Sequence, residues 1–203
     1  MMGKMQSRIL TWDRFNTTVR PKEGVGGSSP SEAAGTKINP MLLPLLLGAM
    51  LVTQTKAHAA RVLASDFDRL TGKAWKGTLT YLDYTSNKQT TIKSSLFVER
   101  FKDAAPSWKW NVGYTDEPEH NGGETLVLKM NGTLLGDEKV IGRDELADKR
   151  IRIVTQYKAD DNNKPALNRH VYTIGDKECS LQKLVKIKGG KDFFQRHIYR
   201  WSR

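Results

Sequence analysis

From Ala60 to the last residue the chain alternates, and that alternation limits it to sheet. "WKGTLTYLDY" (75–84) puts Trp75, Gly77, Leu79 and Tyr81 on one side and Lys76, Thr78 and Thr80 on the other. "WKWNVGY" sets Trp108, Trp110, Val112 and Tyr114 against Lys109, Asn111 and Gly113, and "ETLVLKMN" places Leu126, Leu128 and Met130 together. "RIRIVTQYK" sets Ile151, Ile153, Thr155 and Tyr157 against Arg150, Arg152, Val154 and Gln156. A period of two belongs to a strand with one buried face, because successive side chains leave opposite faces of the backbone. "TTIKSSLFVERF", "EKVIGRDEL", "NRHVYTI", "SLQKLVKIK" and "DFFQRHIYRW" complete about nine strands. Turn chemistry separates them: Ser86-Asn87-Lys88, Asn121-Gly122-Gly123, Asn131-Gly132, "DDNNKPA" and Gly189-Gly190. One short helix is expected at "VLASDFDRL", ahead of Trp75. Many short strands joined by tight turns imply an antiparallel barrel or sandwich. Closure removes exposed edges, so the expected fold is an all-β, antiparallel up-and-down β-barrel of about 8–9 strands with a short N-terminal helix.

Ahead of the alternating region lies "MLLPLLLGAMLV", residues 41–52, apolar apart from Pro44 and Gly48. Twelve residues make about 18 Å of helix, short of the roughly 30 Å a bilayer core demands. The small-residue triplet Ala57-His58-Ala59 follows, and an apolar stretch of this length before such a triplet is the pattern of a secretory signal peptide. Residues 41–59 are therefore expected to direct export, with cleavage after Ala59 and a secreted or periplasmic product. An uncleaved anchor and a plain buried helix are the competing readings. Residues 1–40 are net positive, and "RPKEGVGGSSPSEAAGTKINP" is rich in Gly, Ser and Pro. They read as a disordered extension, or else the true start lies near Met41. A mitochondrial transit peptide is disfavoured by Asp13 and by the apolar run itself.

Residues 60–203 form a stretch of 144 residues, suited to one domain with a real core. Residues 1–59 hold seven of the 33 basic and three of the 22 acidic residues, leaving 26 against 19, a net charge of +7. That excess favours anionic partners at long range and also suits an ordinary soluble surface. Cys179 is the single cysteine, so no internal disulfide can form, and it reads as a small buried residue. Asn131-Gly132-Thr133 satisfies the glycosylation triplet but reads better as a turn.

The order of short helix, Trp-led first strand, meander, and last strand with arginine near an aromatic resembles the lipocalin-like (calycin) barrels. Those barrels open their first strand with G-x-W and cover its Trp with an arginine from the last strand. Here the sequence is Gly72-Lys73-Ala74-Trp75, one residue longer. The resemblance implies a structural pairing of Trp75 with Arg196 or Arg200. The chain is also similar to uncharacterised exported bacterial proteins of this size.

Enzyme motifs are not found. "KGGKDFF" opens a strand instead of a helix, so it is no phosphate loop. "DDNNKPALNRHV" has Pro165 and Val171 where a calcium loop needs Gly and Glu, and Asp160 and Asp161 read as solvated turn residues. His120, His170 and His197 form no local metal-ligand pair; His120 falls in a loop, and His170 and His197 fall on strands that can turn them inward. Near the C-terminus, Lys183, Lys186, Lys188, Lys191, Arg196, Arg200 and Arg203 mix with Phe193, Phe194, Tyr199 and Trp201. Single-strand binders combine charge and rings in this way. On a strand, however, alternation makes one core face and one solvated face of such a mixture, and nucleic acid is disfavoured.

The expectation is a non-enzymatic barrel without a cofactor, holding a small apolar or amphipathic molecule, since about eight strands leave room for one. Tyr81, Trp108, Trp110, Tyr114, Tyr157, His170 and Tyr172 are the candidate ligand-binding residues, inward-facing rings with polar tips. The alternative is a cell-envelope protein contacting anionic lipid or polysaccharide.

Overall fold

A computed structural model describes residues 60–84, 86–101 and 105–203. The expected signal peptide and extension, residues 1–59, lie outside the described residues. The described chain forms ten antiparallel strands: β1 (Ala74–Asp83), β2 (Lys88–Phe101), β3 (Ser107–Tyr114), β4 (Gly122–Lys129), β5 (Leu134–Leu135), β6 (Glu138–Glu145), β7 (Ile151–Asp161), β8 (Lys164–Ile174), β9 (Glu178–Ile187) and β10 (Phe194–Ser202). Each strand pairs with its neighbour in sequence, and β1 pairs with β10, so the sheet closes into an up-and-down barrel. The sequence count of eight or nine strands is corrected to ten. The extra strand is β5, whose two residues are too few to show an alternation. Met130, grouped with Leu126 and Leu128 by phase, instead belongs to the turn after β4 and is exposed.

The short helix α1 (Ala64–Asp68) lies across the end of the barrel where β2–β3, β4–β5 and β6–β7 connect. Asp66 fixes it: buried, it accepts from the Leu63 backbone N–H at 2.9 Å and from both Nε and Nη2 of Arg143 at 2.8 and 2.7 Å. Asp68 accepts from the Trp108 indole N–H at 2.9 Å and pairs with Arg100. Between these anchors Phe67 inserts its ring among Trp108, Trp110 and Tyr172, at centroid distances of 5.1, 6.0 and 5.6 Å. Tilted and edge-on pairs of this kind add attraction beyond the area they bury. Gly132, at φ +86°, lets the turn after β4 approach this end: its carbonyl accepts from Val62 N–H at 2.9 Å, where a Cβ would sit 2.3 Å from Val62 O.

Trp75 is buried at the start of β1, and its indole N–H donates to Leu70 O at 3.1 Å. Its ring is covered by Arg203, whose guanidinium carbon lies 5.5 Å from the centroid. The expected partners are therefore corrected. Arg196 stands over Tyr84 instead, at 4.0 Å, and Arg200 is exposed, because its position on β10 has the outward phase.

Closure depends on Gly77, which pairs with Trp201 across the β1–β10 seam. A Cβ there would fall 1.8 Å from the Arg200 carbonyl oxygen, a backbone atom that moves only with the strand. Gly77→Ala is expected to lose about 2–4 kcal/mol in urea unfolding. Gly142→Ala, whose Cβ would meet Val154 at an ordinary 3.7 Å, should stay within about 1 kcal/mol of wild type. Equal losses at the two glycines would disprove a special role for the seam.

Candidate functional site

The inward-facing residues stack in rows across neighbouring strands. Ile153, Tyr172, Leu181, Tyr199, Leu79 and Ile92 form one continuous apolar row through β7, β8, β9, β10, β1 and β2. The next row, one pleat farther from α1, follows the same strands and is polar: Thr155, His170, Lys183, His197, Tyr81 and Thr90. Burial of such side chains is costly unless each polar atom finds a partner.

Part of that cost is met within the barrel. Glu138 reaches from β6 so that His170 Nδ1 lies 2.9 Å from one carboxylate oxygen and 3.0 Å from the other, and the Thr155 hydroxyl donates to the same carboxylate. Asp161, at the end of β7, is buried against the Lys183 ammonium at 3.5 Å and Arg196 at 3.9 Å, and accepts from the Tyr84 hydroxyl. Arg196 also donates to Leu82 O. This corrects the reading of Asp161 as a solvated turn residue and of Lys183 as part of a solvated basic face. Asn168 uses its amide nitrogen on Ala159 O at 3.0 Å.

Three atoms are left over. His170 Nε2, His197 Nε2 and Asn168 Oδ1 are buried and have no hydrogen-bond partner among the described residues. Their side chains are not on the rim: His170 is 2 % exposed, His197 3 % and Asn168 0 %. His170 and His197 occupy the same row with Lys183 between them, and Asn168 lies two residues from His170 on the same face of β8. Burial holds the His197 imidazole well below its ordinary pKa, reinforced by His170, Lys183 and Arg196, so it is neutral near pH 7.

The sequence candidates divide between this polar layer and the packing beneath it. His170 and Tyr81 sit in the polar row, and Tyr157 lies beside His170 at 5.3 Å between centroids. Trp108, Trp110 and Tyr172 instead pack on Phe67 and on one another, ring against ring. Tyr114 joins its hydroxyl to that of Tyr199 at 2.7 Å, and burial pushes the Tyr199 phenol well above its ordinary pKa, with the Tyr114 contact adding to it. Sequence reasoning missed Glu138, Thr155, Asn168 and Lys183 as members of one layer. The available signal was a charged residue on an apolar phase: Lys183 alternates with Leu181 and Val185.

Among the described residues no group of three or more metal-binding side chains is assembled, and no helix is long and apolar enough to cross a membrane. Cys179 is buried, and desolvation pushes its thiol up to about 12. No protein-family model matches the chain, and no match is found among curated proteins.

The buried layer makes stability depend on pH. An unfolded histidine titrates near 6.5, whereas native His197 resists protonation, so protons drawn on below about pH 6.5 favour the unfolded chain. Unfolding midpoints should fall as pH drops from 6.5 to 5, and His197→Gln should flatten that fall; an unchanged slope would refute the assignment. Native Cys179 should resist alkylation at pH 8 over a time in which urea-unfolded protein labels fully, and equal rates would contradict its burial.

Proposed function

We propose that the protein is a small-molecule-binding barrel whose guest is amphipathic. The observation that carries this reading is the trio of buried polar atoms, His170 Nε2, His197 Nε2 and Asn168 Oδ1, without a partner among the described residues. An unmet buried acceptor or donor costs about 1–3 kcal/mol. Three on adjoining positions are a large burden for a fold whose net stability is only about 5–15 kcal/mol. A guest with a polar head relieves that burden. The resemblance to lipocalin-like barrels supports the same role. The sequence pattern of an export signal, the apolar run followed by Ala57-His58-Ala59, suits a carrier working outside the cytoplasm.

Native mass spectrometry of protein purified without detergent is expected to show an added mass below about 1 kDa, the size of an ordinary small-molecule guest, that is lost on denaturation. Stripped protein should bind a hydrophobic dye that the extracted molecule displaces. Protein with no added mass and no dye binding would overturn the proposal.

A further inference from the structure

We infer that the head of the guest is an uncharged hydrogen-bond donor, a hydroxyl or a primary amide, and neither a carboxylate nor an ammonium group; this rests on the binding-barrel reading above. One of the three leftover atoms has its chemistry fixed by what the rest of the side chain already does. Asn168 spends its amide nitrogen on Ala159 O, which identifies the leftover atom as the carbonyl oxygen, an acceptor with no hydrogen to give. His170, two residues along the same face, holds its other ring nitrogen against both Glu138 oxygens. The site therefore offers a fixed acceptor, and its complement is a donor.

Charge then separates the donors. An ammonium guest would share the layer with Lys183, which lies in register between the two histidines, and with Arg196 nearby. Like charges in a low-dielectric interior repel strongly. A carboxylate or phosphate guest would oppose its own lone pairs to Asn168 Oδ1 and approach the Glu138 carboxylate. The cations able to compensate already face Asp161. A hydroxyl or amide meets neither penalty. Selectivity follows as well, because a site built for a hydrogen bond rejects analogues that leave its polar groups unpaired.

The test uses four probes of one chain length: decan-1-ol, decanamide, decanoate and decylammonium. Binding to the stripped full chain is followed by tryptophan fluorescence and calorimetry at pH 7.5. The alcohol and amide are expected to bind at least about tenfold more tightly than either ion, the discrimination one matched buried hydrogen bond supplies. Asn168→Leu, with its fold checked by circular dichroism, should cut that preference severalfold. Should that variant not fold, Asn168→Asp should raise the relative affinity for decylammonium at least about tenfold, because it places a carboxylate where the amide stood. Decanoate or decylammonium binding as well as the alcohol would overturn this inference and leave the barrel as a carrier. Absence of binding by all four probes, together with no dye binding, would remove both.

Discussion

The seam between β1 and β10 is the constraint on which the rest depends. Nine of the ten strand pairings are between neighbours in sequence, and each can form from a hairpin or a short connection. The tenth alone turns an open sheet with two unpaired edges into a closed wall. Its geometry admits no side chain at Gly77, because the Arg200 carbonyl occupies that space. Two buried indoles flank the same place. Trp75 is tied to Leu70 O and lies under Arg203, and Trp201 donates to Ser94 Oγ at 3.2 Å over Gly77, which is in register with both. Closure is thus secured by two indoles on its inner face.

Once closed, the barrel sorts its contents along its axis. The end crossed by α1 is packed with Phe67, Trp108, Trp110, Tyr172 and the aliphatic rows, and salt-bridged carboxylates of the helix hold the plug in place. Farther from α1 the interior changes character within one pleat, from Leu181 and Tyr199 to Lys183 and His197. The charges there are connected across elements distant in sequence: Asp161 faces β9 and β10 at once and accepts from Tyr84 after β1. Buried pairs of this kind add little net stability, because desolvation consumes most of the attraction.

Much of this fold was legible in the sequence, and the unread part has definite causes. Alternation at Trp75, Leu79, Trp108, Trp110, Ile151 and Ile153 reports the buried face, and all six are buried. β5 escaped because two residues carry no period. The polar layer escaped for two other reasons: Thr155, Asn168 and Lys183 keep the alternation of β7, β8 and β9 but are polar residues on its buried phase, and β-bulges interrupt the phase on β6 and β10. The register shifts between Val140 and Gly142 on β6, near Glu138, and between Gln195 and His197 on β10. The second bulge buries the consecutive residues Arg196 and His197, which no strict alternation allows. Asp161 was hidden by its company, since a run of Asp, Asn and Lys reads as solvated turn whatever lies opposite. Its partners on β9 and β10 are contacts of topology, invisible to any local window. Arg203, and not Arg196, covers Trp75 because the β1–β10 register, Lys76 to Ser202 and Tyr81 to His197, sets Trp75 beside Arg203 and Arg196 at the far end of the pair.

The β1–β10 seam has a consequence for how the molecule reaches its folded state. It joins Lys76 to Ser202, the widest separation in sequence of any neighbouring strands, while every other pair can assemble as the chain lengthens. Ordering so much chain before the reward arrives makes such a join slow. A growing polypeptide therefore waits as a curled ribbon with both margins bare until β10 is available, and during that wait it is open to pairing with a second copy of itself. Speed of docking by the last strand, more than the final depth of the well, then governs how much of the protein escapes aggregation.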